Sequence, residues 1–156
     1  MTPKILPTLA AALATSLACP AARATTSCSF TSVVGVAFGS YDVFSLSPLD
    51  TAGSLTFVCS GVGPSDTVVI ELSAGGAASF SPRSMASMGA SLSYNLYLNA
   101  ARTAIWGDGT GGTSRYGPVT PVSGVGVTVP VYGRVPAGQN VPIGAYADTI
   151  TVTILF

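Results

Sequence analysis

Glu71, Asp108 and the run Asp108-Gly109-Thr110-Gly111-Gly112-Thr113 are the residues whose types come nearest to chemistry. Two carboxylates can act as acid and base on a glycosidic bond. An acidic glycine-rich loop can hold calcium or a phosphate. Neither pattern is carried through. The loop lacks the several acids of a calcium site and the Gly-Lys-Ser/Thr of a phosphate loop, so it reads as a glycine-rich turn. The chain has six acids in all and no histidine, which removes Ser-His and Cys-His nucleophile pairs and the usual zinc sites. No catalytic, cofactor or metal site is expected, and the chain is not read as an enzyme.

The cysteines carry a different chemistry. Lys4 precedes an apolar run from Ile5 to Leu17, and Ala22-Arg23-Ala24 supplies the small-x-small pattern read by signal peptidase. Residues 1–24 are therefore expected to be a cleaved signal, with a mature domain over 25–156 that begins at Thr25. A lipoprotein anchored through Cys19 is the rival, although Ser16-Leu17-Ala18-Cys19 lacks the leucine three residues before the cysteine. Cleavage removes Cys19 and leaves Cys28 and Cys59, a pair expected to form a disulfide in an exported chain. It also leaves four arginines against six acids, with no basic stripe for nucleic acid. No run reaches the roughly 18 apolar residues of a membrane span.

Trp106, Tyr94 and Tyr97 suggest a sugar- or surface-binding patch, but aromatics in strands of a small sandwich more often fill its core. Arg83 and Arg134 are expected to satisfy local carbonyls or carboxylates.

The elements that must position these residues are strands. Six runs have strand character: Val33 to Phe38, Leu55 to Cys59, Thr67 to Leu72, Leu92 to Leu98, Val125 to Val135, and Thr149 to Phe156. The last is the clearest, with Ile150, Val152, Ile154 and Phe156 alternating with Thr149, Thr151, Thr153 and Leu155. Clusters rich in Gly, Pro, Ser and Asp at 61–66, 73–84, 107–121 and 136–144 separate the runs. Such punctuation predicts one all-β domain, a β-sandwich with Greek-key connections. An immunoglobulin-type sandwich needs seven strands, and the sixth run reaches Phe156 at the end of the sequence. The expectation is an incomplete sandwich with an unpaired edge that seeks a strand from another chain.

Several motifs occur in one order along residues 28–156. They are Phe38-Gly39-Ser40-Tyr41-Asp42, Leu92-x-Tyr94-Asn95-Leu96-Tyr97, Trp106-Gly107-Asp108-Gly109-Thr110, Val131-Tyr132-Gly133-Arg134-Val135-Pro136-Ala137-Gly138-Gln139 and Gly144-x-Tyr146-x-Asp148-x-x-x-Val152-Thr153. Together they resemble the spore coat protein U family, which includes subunits like those of archaic chaperone–usher pili. The resemblance implies a pilin-type, incomplete immunoglobulin-like fold. It also implies export through the periplasm, a periplasmic chaperone, an outer-membrane usher and neighbouring pilus subunits, with a role in adhesion and biofilm at the cell surface or fimbrium. The edge offered to a chaperone or donor strand is expected at Ile150, Val152, Ile154 and Phe156.

Polymerising members carry an alternating apolar extension before the first cysteine. Here Thr25-Thr26-Ser27 gives about 10 Å of extended chain. A subunit of this kind is expected to accept a strand without donating one, which suits a fibre tip. The alternative is a self-standing secreted coat or carbohydrate-binding module.

Overall fold

Strands with one apolar face must pair that face with another, and here they do so in two sheets. The computed structural model describes residues 25–156. The expected signal, its cleavage site and Cys19 lie outside the described residues. Eight strands follow: β1 (Ser27–Val34), β2 (Leu49–Ser60), β3 (Val68–Leu72), β4 (Arg83–Ser87), β5 (Ala90–Tyr97), β6 (Tyr116–Val119), β7 (Val127–Val135) and β8 (Val152–Leu155). One sheet has the order β1-β2-β7-β5-β4, the other β6-β3-β8, and neighbouring strands are antiparallel. The chain changes sheet between β2 and β3, β3 and β4, β5 and β6, β6 and β7, and β7 and β8. That repeated crossing is the Greek-key habit of immunoglobulin-like sandwiches.

Alternation decides what is buried. Leu55, Phe57 and Cys59 of β2, Leu92, Tyr94 and Leu96 of β5, and Val129, Val131 and Val135 of β7 point inward from the larger sheet. Val68, Ile70 and Leu72 of β3 face them from the smaller one, and all belong to one core cluster. Each such burial contributes on the order of 1.5–3 kcal/mol. Trp106 is fully buried, and its indole donates to the Ile70 carbonyl at 2.9 Å. Cys28 and Cys59 stand directly opposite each other on β1 and β2 and are joined as a disulfide.

Two strands, β4 and β6, fall outside the six expected runs, and β1 lies earlier than the run expected there. The first strand starts at Ser27, and its pairing with β2 ends at Val34; the expected strand over Val33 to Phe38 is replaced by a segment that leaves the sheet. β4 begins at the edge of the 73–84 cluster, and β6 lies inside the 107–121 cluster, both read as turns. The last strand is shorter than expected, with the ladder confined to Val152–Leu155.

One side of the sandwich is fastened by polar groups. Arg83 on β4 is fully buried. It donates to the carbonyl of Ser73 from Nε at 3.0 Å and Nη2 at 2.8 Å, to that of Trp106 at 2.7 Å, and to Asn95 Oδ1 at 2.8 Å. Ser73 follows β3 and Asn95 lies on β5, so this one side chain ties both sheets together.

An open apolar groove beside the last strand

Beside β8 the sandwich is open. β8 pairs with β3 through Val152↔Leu72, Thr153↔Glu71, Ile154↔Ile70 and Leu155↔Val69. Among the described residues no strand pairs with its other edge. Beside that edge runs a groove of about 1000 Å³. Its floor comes from inward-facing residues of both sheets, including Leu55, Leu72, Leu96 and Val131, and Ile150 and Val152 form the wall on the β8 side. The other wall is the segment 33–44, which continues from β1.

That second wall is seated by an absence. Gly133 occupies an inward-facing position of β7, where a Cβ would come within 2.5 Å of Val36 Cγ1 and 2.8 Å of the Phe38 ring. Val36 and Phe38 therefore lie against the sheet only because residue 133 has no side chain. Phe38 meets Tyr94 edge to face, with centroids 5.8 Å apart. Thr51 donates from its hydroxyl to the Ala37 carbonyl at 3.2 Å.

Polar groups lie at one end of the groove. The Tyr94 hydroxyl donates to Asp148 Oδ2 at 2.7 Å, while Asp148 Oδ1 accepts from the amides of Gly76 and Thr149. Burial, reinforced by Asp148, pushes the Tyr94 hydroxyl far above its ordinary range, so it stays a neutral donor. Ala86 and Ala147 exchange backbone hydrogen bonds, which fixes the approach to β8 against β4.

The expected edge residues divide. Ile150 and Val152 line the groove. Ile154 is half-buried against the core, on the same face of β8 as Val152 but beyond the groove lining. Phe156, expected to face inward with the others, is instead exposed at 57%, beyond the last ladder residue. Gly133, Val36, Phe38 and Asp148 belong to the site and were not singled out as site residues from the sequence. Their signal was present in the motifs that carry Phe38, Gly133 and Asp148, although a motif does not say which residue faces a cavity.

The remaining candidates are accounted for locally. Asp108 caps its own turn by accepting from Thr110, and that hydrogen bond holds its carboxyl below the usual range. Glu71 is paired with Arg115 at 3.1 Å. Tyr97 is half-buried, opposite Tyr132 on the outer face of the larger sheet rather than in the core. Arg134 makes a two-pronged contact with Asp50 at 2.7 and 2.8 Å, which holds the Asp50 carboxyl below its ordinary value.

The sequence matches the Spore Coat Protein U domain family over residues 13–153. That span begins inside the expected signal. A 67-residue stretch is 49% identical to Protein U of Myxococcus xanthus, covering 42% of this chain and 34% of that protein. Among solved structures the fold is similar to a chain of the CsuC–CsuE chaperone–tip adhesion subunit pre-assembly complex, from archaic chaperone-usher Csu pili of Acinetobacter baumannii. The likeness has a TM-score of 0.55 and 22% identity over 85% of this chain and 40% of that one. The chain thus spans about a third of Protein U and two-fifths of the pilus-complex chain. An immunoglobulin-like sandwich with these motifs, matched over most of its length, belongs to the Spore Coat Protein U domain family.

Proposed function

We propose that this protein is an exported subunit of a chaperone–usher surface fibre and that the groove beside β8 receives a donor strand. The observation that carries this reading is the conjunction of an unpaired strand edge with an apolar groove along it. A free edge offers backbone donors and acceptors at a fixed spacing, and the groove offers sites for alternate side chains, which is the requirement for strand addition. A periplasmic chaperone fills the groove before assembly, an outer-membrane usher exchanges it, and a neighbouring subunit supplies the final strand. The fold similarity to a chain of a chaperone–tip subunit complex supports this assignment.

The test is capping. A synthetic peptide of alternating apolar residues, added to the released protein, should raise its melting temperature, because a ligand of the folded state alone stabilises by mass action. Val152→Asp places an unpaired carboxylate on the groove wall and should abolish capping and chaperone copurification. Ile154→Glu, away from the opening, should lower stability without removing peptide binding to the folded fraction. High stability with no response to peptide would support a self-standing secreted module instead.

A tip position and an adhesive role are the finer part of the reading. Four side chains on three connections at one end of the sandwich support adhesion to apolar surfaces. They are Phe44 and Leu46 between β1 and β2, Met88 between β4 and β5, and Ile143 between β7 and β8, exposed at 89%, 97%, 105% and 105%. The connections are held together there: Tyr41 donates to the Pro136 carbonyl and accepts from the Gln139 amide, and Gly144 lies against Ser87. Replacing all four by Ser should weaken adsorption to hydrophobic silica and leave capping unchanged.

A further inference from the structure

The outer face of the larger sheet carries a second site, one that holds whether or not the groove takes a donor strand. Of the four arginines in residues 25–156, Arg83 is buried and Arg115 is paired with Glu71. The other two, Arg102 and Arg134, converge on a single carboxylate. Arg134 Nη2 lies 2.8 Å from Asp50 Oδ2, and Arg102 Nη1 lies 3.2 Å from the same oxygen. Two cations on one acid leave a surplus of one positive charge, on a chain whose described residues otherwise carry more acids than arginines.

The fork of each guanidinium is only partly used. Arg134 spends Nε and Nη2 on Asp50, and Arg102 spends Nε on the Gly133 carbonyl and Nη1 on the Ala100 carbonyl and Asp50. Among the described residues Arg134 Nη1 and Arg102 Nη2 have no partner, and neither is a buried unsatisfied atom, so both reach solvent. Their rotamers are already fixed by Asp50 and by the Tyr132 ring, whose centroid lies 5.9 Å from Arg102 Cζ. Two pre-oriented donors at the rim of a shared carboxylate form a receptor for a planar anion, with little side-chain entropy left to lose.

The surroundings select the kind of anion. Tyr97 lies opposite Tyr132 in the β5–β7 register, two positions along β7 from Arg134. An aromatic ring beside a cation offers its π face to the C–H groups of a sugar ring, and the phenol hydroxyl offers a hydrogen bond. We propose that this face binds a uronate-bearing polysaccharide, with a sugar carboxylate beside Asp50 on the free Arg134 Nη1 and Arg102 Nη2 donors and the adjoining ring against Tyr97.

The experiment titrates the exported protein with oligogalacturonate, following backbone amide shifts, beside neutral oligogalactose, inorganic phosphate and polyglutamate. Saturable shifts centred on residues 50, 97, 102, 132 and 134 are expected with oligogalacturonate alone. Arg134→Gln and Arg102→Gln should each weaken binding about tenfold, roughly one charge-assisted hydrogen bond. Tyr97→Ser should weaken it several-fold, and raising salt from 0.05 to 0.5 M should do the same. Unfolding midpoints of the variants separate lost binding from lost folding. Equal binding of polyglutamate or phosphate would overturn the sugar assignment. Shifts elsewhere, or binding indifferent to both arginine variants, would overturn the site.

Discussion

Replacing Arg83 by Met tests what ties the two sheets together. Methionine keeps much of the buried stem and removes every donor. Asn95 Oδ1 keeps the Leu96 amide as a partner, so the change orphans two acceptors, the carbonyls of Ser73 and Trp106. At about 1–3 kcal/mol for each buried unsatisfied group, the loss is about 2–6 kcal/mol. Part is returned, because a buried cation without a directly paired carboxylate no longer has to be desolvated. Burial is also what lowers the Arg83 guanidinium from its ordinary value. A net loss of about 2–4 kcal/mol remains. Against a typical total of about 5–15 kcal/mol, that decides whether an unfilled sandwich folds. Urea unfolding of the peptide-capped protein measures it, with the capped form used so that both variants have a folded baseline. Arg83→Lys, which can reach one carbonyl, should fall between the two. A change below about 0.5 kcal/mol would refute the clamp.

Cys28→Ser with Cys59→Ser opens a loop with a sequence separation of 31 and should cost about 3–4 kcal/mol, read as a lower urea midpoint without reductant. Gly133→Ala places a methyl against Val36 and Phe38 and should displace the groove wall. It should cost about 1–3 kcal/mol and weaken peptide capping, followed by the same melting assay. The Tyr94 hydroxyl, with a folded pKa raised from 10.0, should make stability depend on alkaline pH. Its contribution is fully present below about pH 10. It is lost as pH rises further, because the unfolded chain releases a proton that the folded chain retains. Tyr94→Phe should flatten that slope in unfolding midpoints taken from pH 8 to 11.

The legible part of the fold is the part with an uninterrupted period of two. β8, β3 and β5 alternate cleanly and were placed within a few residues. β1 alternates too, with Cys28 and Phe30 inward. Its register shifts between Phe30 and Ser32, however, and the apolar run that drew attention, Val33 to Phe38, begins where pairing is ending. β4 hides because the side chain at its start that faces the core is an arginine, which a hydrophobicity pattern reads as outward. β6 hides because Gly117 and Pro118 are turn residues by composition; only the facing strand β3 makes Tyr116–Val119 a strand. Six alternating runs therefore undercount the sandwich, which has eight strands among the described residues. The unpaired edge is nevertheless present, because the two extra strands lie on other edges, β4 beyond β5 and β6 beyond β3. The groove itself was not legible. It depends on the 33–44 segment leaving β2 and resting on Gly133, a contact almost 100 residues distant in sequence.

Directional hydrogen bonds and tolerant apolar contacts fall to different parts of the site, and the division explains how an unfilled groove can keep its shape. Hydrogen bonds are directional, so they fix geometry, whereas apolar contact is tolerant of its partner. Around the approach to β8, Arg83 joins β4 to Ser73, Asn95 and Trp106, and Ala147 pairs with Ala86. The Thr151 amide donates to Ser73 Oγ at 2.9 Å, and the Ser73 amide donates to the Thr151 carbonyl at 2.9 Å. These bonds hold the chain on both sides of Ile150, immediately before β8. The groove wall is thus positioned by contacts that a donor strand does not replace. An incoming strand meets an edge already extended and apolar side chains already aimed, so ordering costs fall mainly on the strand itself. If instead these fastenings were apolar and the groove polar, filling the groove would have to organise the wall as well. Selection among donors would then follow exact hydrogen-bond matches rather than the alternation of apolar side chains. The observed placement favours exchange of one apolar strand for another at an unchanging edge.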